Sequence, residues 1–471
     1  MQEQLERARE PDNNNTRGAR RAFAAFRVRP RSLRAQEGAV LRINQPWTPS
    51  IGVLHMDTLE TMLRGAAPTE PDVLALVGMP PHGSMMYDGL GLFTKCADRQ
   101  INGAPSYSLV GSDNAVLLWR AGAAADVAWF VGSRGQAGKA HGNFRARDAP
   151  MPDGAAVSWE IVTLDGTSWV EAPDIRCISG DAVQTELDAA TPLIALVGST
   201  PQNLQRDCLG LFELIKGQLV NGYPLYALVG SEGRDLLWHV GSSWIVGNRP
   251  DLGKNVGGMI AYDGALRPES VRAPWAVMGL REEWVEAPEV EVILGPKLGF
   301  ELSSAARTIA LVGTTPRASK SGFLGIFERL PRTVNGVATY RMAATDPDAP
   351  PVLLWHANAC WLVGSMSTSR RDAAQLRVSD GALRPECIEA TWEVWDDRDE
   401  SWVEAPALRC LPKHAVVQVV EEVELKADLV RRLEANAKAG ANAQRMRRTT
   451  SAVGRLSSVP RASKPGAKKA R

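Results

Sequence analysis

No run of apolar residues in this chain approaches the roughly eighteen that a membrane-crossing helix requires. The opening segment MQEQLERARE lacks the apolar stretch of a signal peptide. The expected compartment is therefore intracellular, the cytoplasm first and the nucleus open. Cysteine is sparse: Cys96, Cys177, Cys208, Cys360, Cys387 and Cys410 form no CxxC pair. Cys177 and Cys410 stand at matched positions, but their counterpart is Val292, so the site asks for a small apolar side chain rather than a disulfide partner. A reducing environment fits this usage. The six histidines are too scattered for a metal centre or a catalytic triad: His239 and His356 both follow a Leu-Leu-Trp motif, yet Arg120 takes that place in the first copy. No cofactor is expected.

Aromatic residues make up only 6% of the chain, yet 13 of the 14 tryptophans lie between Trp119 and Trp402. Net charge is also small, +1, and hides an uneven distribution. Residues 1–45 carry ten Arg against five acids, residues 445–471 carry nine basic residues and no acid, and the body between holds 35 basic against 48 acidic residues. At 471 residues the chain is long enough for about three domains.

What the sequence does have is internal repetition. VLLW (116–119), DLLW (235–238) and VLLW (352–355) are followed by WFVG (129–132), WIVG (244–247) and WLVG (361–364). Upstream stand LALVG or IALVG (74–78, 194–198, 309–313), LGLF or LGIF (90–93, 209–212, 324–327) and an Asn-Gly pair (102–103, 221–222, 335–336); downstream WVEAP recurs letter for letter at 169–173, 284–288 and 402–406. A period this long means tandem domains, each large enough to fold alone. Repeats are assigned to 71–179, 190–294 and 307–412.

Within a repeat, short apolar, β-branched or aromatic runs are bounded by Gly, Pro, Asn and Ser, the pattern of strands. Asn-Gly between two such runs predicts a type I′ hairpin, and the LLW…W-x-VG stretch predicts a second, closed in the middle repeat by Gly241-Ser242-Ser243. The count comes to seven or eight strands, an antiparallel β-sandwich or small barrel. The connectors keep register, Ile178 to Leu196 matching Ile293 to Leu311 and Glu186-Leu187 matching Glu301-Leu302, which predicts repeats packed in a fixed relation. Residues 1–45 and 441–471 read as disordered basic ends. Residues 46–70 form a connecting segment in which MDTLETMLR (56–64) suggests a short helix, and 413–440 an amphipathic helix whose apolar face is Val416, Val420, Val423, Ala427 and Val430.

Most of the tryptophans are expected in cores, since four per repeat at about 200 Å² each and about 25 cal/mol per Å² supply roughly 20 kcal/mol before entropy. One per repeat, Trp129, Trp244 or Trp361, is the candidate for a ligand surface, stacking on a sugar ring or gripping a peptide. Glu171, Glu286 and Glu404, the only charges in WVEAP, could bind a basic ligand or satisfy backbone amides. Asp153, Glu269 and Glu386, each after a proline and six residues before a tryptophan, suggest turn chemistry. GSRGQAGKAHG and GNRPDLGKNVG are not P-loops: five residues separate the relevant glycines, and Ala140 or Asn255 follows the lysine. Lys139 and Lys254, with Arg370 nearby in the third repeat, leave a basic anion-binding loop open beside a solvated loop tip. The tail could hold a polyanion such as nucleic acid or an acidic surface by charge alone, and Thr450 and Ser451 follow an Arg pair that suits a basophilic kinase.

The run of NG-x-P-x-Y, LLW, W-x-VG and WVEAP resembles a roughly 90-residue module found in tandem in proteins of algae and other unicellular eukaryotes, where it tends to read NGRPVY…LY…GKWWIG…P…W. The resemblance rests on Asn221, Gly222, Pro224, Tyr226, Trp238, Trp244 and Gly247 with their equivalents; the third repeat departs from it at Ala338 and at Met342-Ala343-Ala344. It implies tandem β domains without an assigned catalytic residue. The expected function is a non-enzymatic binding or scaffold protein with three equivalent weak interaction surfaces and a protein partner. Carbohydrate binding through one exposed tryptophan per repeat is the alternative, and a hydrolase is the less favoured third reading.

Overall fold

The computed structural model describes residues 70–415 apart from short stretches at 82–88, 124–125, 148, 155–156, 164, 344–349 and 366–373. The basic ends, segment 46–69, Arg370, Thr450, Ser451 and residues 416–440 lie outside the described residues.

Three sheets of nine antiparallel strands follow one another. The first comprises β1 (Val73–Val77), β2 (Gly91–Ile101), β3 (Ala104–Leu109), β4 (Val116–Ala121), β5 (Ala128–Ser133), β6 (Phe144–Arg147), β7 (Trp159–Val162), β8 (Trp169–Glu171) and β9 (Arg176–Ser179). The second comprises β10 (Leu193–Val197), β11 (Gly210–Val220), β12 (Tyr223–Leu228), β13 (Asp235–Val240), β14 (Ser243–Asn248), β15 (Met259–Tyr262), β16 (Trp275–Met278), β17 (Trp284–Ala287) and β18 (Glu291–Ile293). The third comprises β19 (Thr308–Val312), β20 (Gly325–Val334), β21 (Val337–Met342), β22 (Val352–Ala357), β23 (Cys360–Ser365), β24 (Ala374–Ser379), β25 (Glu393–Asp396), β26 (Ser401–Glu404) and β27 (Arg409–Pro412). Helix α1 (Asp181–Asp188) lies between the first two sheets and α2 (Gly295–Ser303) between the second and third.

Each sheet is a meander whose last strand returns to the first, in the order β8-β7-β6-β5-β4-β3-β2-β1-β9 and its equivalents. That order forces curvature. Laid flat, β8 and β9 would stand about 38 Å apart, eight spacings of about 4.8 Å. The connector 172–175 joins them with four residues and reaches at most about 17 Å. The sheet therefore curls into an open barrel, and its nine strands exceed the seven or eight expected from the sequence pattern, which the short ninth strand of three or four residues does not announce. Where the first strand ends, Gly78, Gly198 and Gly313 have φ of 122–127°, and a Cβ on any of them would lie 2.0–2.1 Å from the carbonyl of Asp174, Glu289 or Ala407. Only glycine allows the returning strand to pass that close.

The Asn-Gly hairpins form as expected: Asn102, Asn221 and Asn335 and the glycine after each have positive φ, the signature of type I′. At the LLW hairpin Val240 pairs with Ser243, so the turn is Gly241-Ser242 with positive φ at Gly241 alone, a type II′ turn. In the third repeat Asn358 and Ala359 both have positive φ and close a type I′ turn instead. A register shift recurs in the second strand of each sheet, between Lys95 and Gln100 in the first, and bends the long strand around the barrel.

Two cores in each of the first two sheets explain the apolar pairs. Leu118, Trp129, Val131, Phe144, Trp159 and Ile161 fill the interior of the first barrel, while Leu117, Trp119, Ala121 and Phe130 form a separate cluster on its outer face. The second repeat repeats this with Leu236, Trp238, Ile245 and Ile260 outside. Strands buried on both faces lose their alternation and read as continuous apolar runs. Cys177 and Cys410 are buried free thiols pushed up in pKa by desolvation, occupants of core space.

Candidate interaction surface

The outer-face cluster is roofed by the glycine-rich loop. Residues 134–143 fold back over β4 and β5, so that the Trp119 indole N–H donates to the Lys139 carbonyl at 2.9 Å; Trp238 does the same to Lys254 at 3.1 Å. Gly142 and Gly257 lie against the sheet, where a Cβ would sit 2.6 and 2.4 Å from the carbonyl oxygens of Val131 and Val246. The Lys139 ammonium donates to the Gly135 carbonyl, and that of Lys254 to the Pro250 carbonyl and to Asp251. Both cations thus cap a 3-10 turn of their own loop. The backbone of this loop lids a small core, a structural role its glycine spacing did not disclose, while Lys139 and Lys254 themselves stay exposed at its tip.

Trp129, Trp244 and Trp361 are each 0% exposed. Their indole N–H groups donate to the carbonyls of Ala149, Ala265 and Ala382 at 3.1, 2.9 and 2.8 Å inside the barrels. They offer no ring face to a ligand, so the candidate platform residues are interior. The physical reason is strand phase: Trp129 and Val131 point inward, and Phe130 between them points out.

The tryptophans of WVEAP are partly exposed, as are Trp355 and Trp395 in the third repeat. Trp169, Trp284 and Trp402 are half-buried, while Glu171, Glu286 and Glu404 two residues on are exposed on the same outer face. Across the first barrel's outer face runs a row formed by Phe130, Arg145, Glu160 and Trp169 with Glu171. The Arg145 guanidinium lies 4.2 Å over the Trp169 ring and is ion-paired with Glu160. Arg145's hydrogen bond holds the Glu160 carboxyl below its ordinary range. Glu171 stands directly opposite Glu160, a like-charge pair that Arg145 and Arg147 offset. The third repeat copies the arrangement, with Arg377 4.3 Å over Trp402, paired to Glu393 at 2.6 Å, and Glu404 opposite Glu393. There Trp395 adds an edge-on ring 5.4 Å from Trp402. In the second repeat Ile260 and Ala276 replace the ion pair, and Trp284 packs on the apolar cluster. The Arg–Glu pair is thus present in two copies of three, and threefold repetition in the sequence does not reveal it.

These strands are also edges. Strands β8, β17 and β26 each pair with one neighbouring strand and, among the described residues, with no second one; β17 also has the turn at 201–203 close by. An edge of this kind carries backbone donors and acceptors able to take another strand.

The acids after proline act at longer range than a local turn. Glu269 accepts the Thr191 N–H at 2.9 Å and Glu386 the Ala306 N–H at 2.9 Å, each tying a late loop to the segment entering its own sheet. The shorter Asp153 bonds the Ser179 hydroxyl instead. A hollow of 720 Å³ beside Ala306 contains Glu386 as its one acid. His239 and His356 are buried with Trp244 and Trp361 edge-on at 5.3 Å, and burial lowers their pKa to about 3 and about 4, so both are neutral. Among the described residues no cluster of His, Cys, Asp or Glu has metal-site geometry, and no helix is long and apolar enough to cross a membrane.

The repeats are joined by buried contacts. Leu92 N–H donates to the Tyr223 hydroxyl, and Ser242 bonds both the Gly89 amide and the Leu90 carbonyl across the first junction. At the second, the buried Arg206 guanidinium grips Asp380 through two nitrogens and Glu389 through a third. The connecting helices are clamped by ion pairs from the following repeat, Arg267 to Glu186 at 2.7 Å and Arg384 to Glu301 at 2.8 Å.

No family model and no curated protein matches the chain. Among solved structures, a protein from Lactobacillus plantarum aligns over 73% of this chain and 97% of its own at 10% identity and a TM-score of 0.10. A provisionally assigned 6-phosphogluconolactonase from Bacteroides fragilis aligns over 74% and 98%, also at 10% identity and 0.10. Likenesses this remote carry no argument about fold or activity.

Proposed function

We propose that this chain is a non-enzymatic binding or scaffold protein whose three WVEAP edge strands each take an extended, basic segment of a protein partner. One observation carries the reading. In every repeat the last strand of the sheet coincides with an exposed carboxylate and a half-buried indole, at Trp169/Glu171, Trp284/Glu286 and Trp402/Glu404. Strand addition supplies affinity through the backbone, and the flanking Glu and Trp select charge and shape. Three such edges on repeats locked by buried junctions gain avidity without any one site being strong. Carbohydrate stacking is the weaker reading, because Arg145 and Arg377 already occupy the faces of Trp169 and Trp402. Membership of the tandem module found in algae belongs to the same proposal.

The test is a titration of the full chain with extended Lys/Arg-rich peptides and with acidic peptides of the same length, followed by tryptophan fluorescence. Basic peptides should bind at three equivalent sites and weaken iodide quenching. The triple variant E171K/E286K/E404K, with unchanged near-UV circular dichroism, should lose that binding. Equal response to basic and acidic peptides, or full binding by the variant, would overturn the proposal.

A further inference from the structure

In the first two repeats the outer face of the opening strands is an interface. Val73, Ala75, Val77 and Leu92 share one core with Val183 and Leu187 of α1 and with the interior of the second repeat. Ala195 and Leu211 do the same with Leu298 of α2 and the third repeat. Leu92 is 0% and Leu211 4% exposed. Their counterpart in the third repeat, by the match of LGLF with LGIF, is Ile326, which is 53% exposed. A Cβ built on Gly91 or Gly210 would meet the following repeat, at Tyr223 or Gly381, whereas one on Gly325 meets only its own Met342. The third repeat thus keeps the apolar docking face, with no successor upon it among the described residues.

The sequence supplies an occupant in register. A helix begins directly after the ninth strand each time: α1 after Ser179, α2 after Ile293, and residues 413–415 are helical after Pro412. From the equivalent strand residues Ile178, Ile293 and Leu411, the same five-residue step reaches Val183, Leu298 and Val416, and the same nine-residue step reaches Leu187, Leu302 and Val420. Helix α1 packs on β9 and β1, and the next strand in that direction is β2, which carries Leu92. At about 1.5 Å per residue α1 spans about 12 Å before Pro192 ends its run. After Leu411 the apolar spacing continues through Val423, Ala427 and Val430, about 21 Å from Val416, and beyond Pro412 no proline occurs before Pro460. The other side of this stretch carries Glu421, Glu422, Asp428 and Arg432 around Leu425 and Leu429.

We infer that residues 413–430 are the third copy of the connecting helix, prolonged into an end cap: Val416 and Val420 seat over β19, and Val423, Ala427 and Val430 cover Ile326 where a following repeat would otherwise sit. Stacked arrays need such a terminal element, because an uncapped repeat exposes the surface that binds its neighbour. The rival occupant is the first repeat of a second copy, which would make a head-to-tail contact that does not close.

Hydrogen exchange on the full chain separates the two. Amides of 416–430 should be protected to within about tenfold of those in α1 and α2, at a level unchanged by dilution. Ile326→Asp should lower that protection at least about tenfold while α1 and α2 keep theirs, and Val423→Asp/Val430→Asp should do the same from the helix side. Free exchange of 416–430 in a monomeric chain overturns the inference. So does protection that rises with concentration as the molecular mass doubles, or protection that neither variant alters.

Discussion

At the scale of single residues, the buried histidines tie stability to pH. In the unfolded chain each would titrate near its ordinary pKa of about 6.5, but desolvation lowers His239 to about 3 and His356 to about 4 in the fold. Between those values and about 6.5 the unfolded state binds more protons than the native one, so stability falls as pH is lowered through that window and is flat above it. Urea midpoints measured from pH 7 to pH 4 should show this decline. The double variant His239→Gln/His356→Gln should have a visibly shallower slope, whatever its midpoint at pH 7. The first repeat has Arg120 in place of a histidine at the same position. Arg206 makes a second residue-level case. Truncating it to Ala leaves the buried Asp380 with only its backbone amide donors; the expected loss is about 3 kcal/mol by denaturation, part of it returned when Asp380 is also replaced by Asn, which removes the buried charge and still accepts from those amides.

At the scale of elements, the loop over each outer cluster should be intolerant of a single methyl group. Gly257→Ala places carbon within 2.4 Å of the Val246 carbonyl and should cost about 1–3 kcal/mol, with Trp238 emission shifting red as the lid lifts. An alanine at Gly299, which has open space around it on α2, should cost far less and serves as the control. Legibility in the sequence follows the same physics. The Asn-Gly hairpins could be read because positive φ at two adjacent residues leaves few residue choices. The inward or outward sense of each tryptophan could not, since strands buried on both faces erase alternation. Helices α1 and α2 were invisible because two turns are too short to establish a period. The bonds of Glu269 and Glu386 span 78 and 80 residues, a separation that no local pattern reports. The Arg–Glu–Trp row could be found only by accepting a motif present in two copies of three.

At the scale of the whole molecule, connecting helix and junction make each repeat dependent on its neighbour. Val183 and Leu187 share a core with both flanking repeats, so the second repeat expressed alone as residues 180–294 should expose Tyr223, Ser242, Leu209 and Arg206. It should melt well below the full chain and associate in sedimentation experiments, whereas residues 70–415 should unfold with greater cooperativity than the sum of independent domains. A melt of isolated repeat and full chain that superimposed would contradict this coupling.

The guanidinium clamp at the second junction also gives the array a grammar. Arg206 has Ser321 as its counterpart in the third repeat, and no other repeat offers a cation described at that position. A gene rearranged to interchange the second and third units would deprive Asp380 of its mate while stranding Arg206 at a terminus. Modules of one fold are thereby made non-exchangeable, and copy number can grow by duplication only where the lock is either copied with its key or dispensed with.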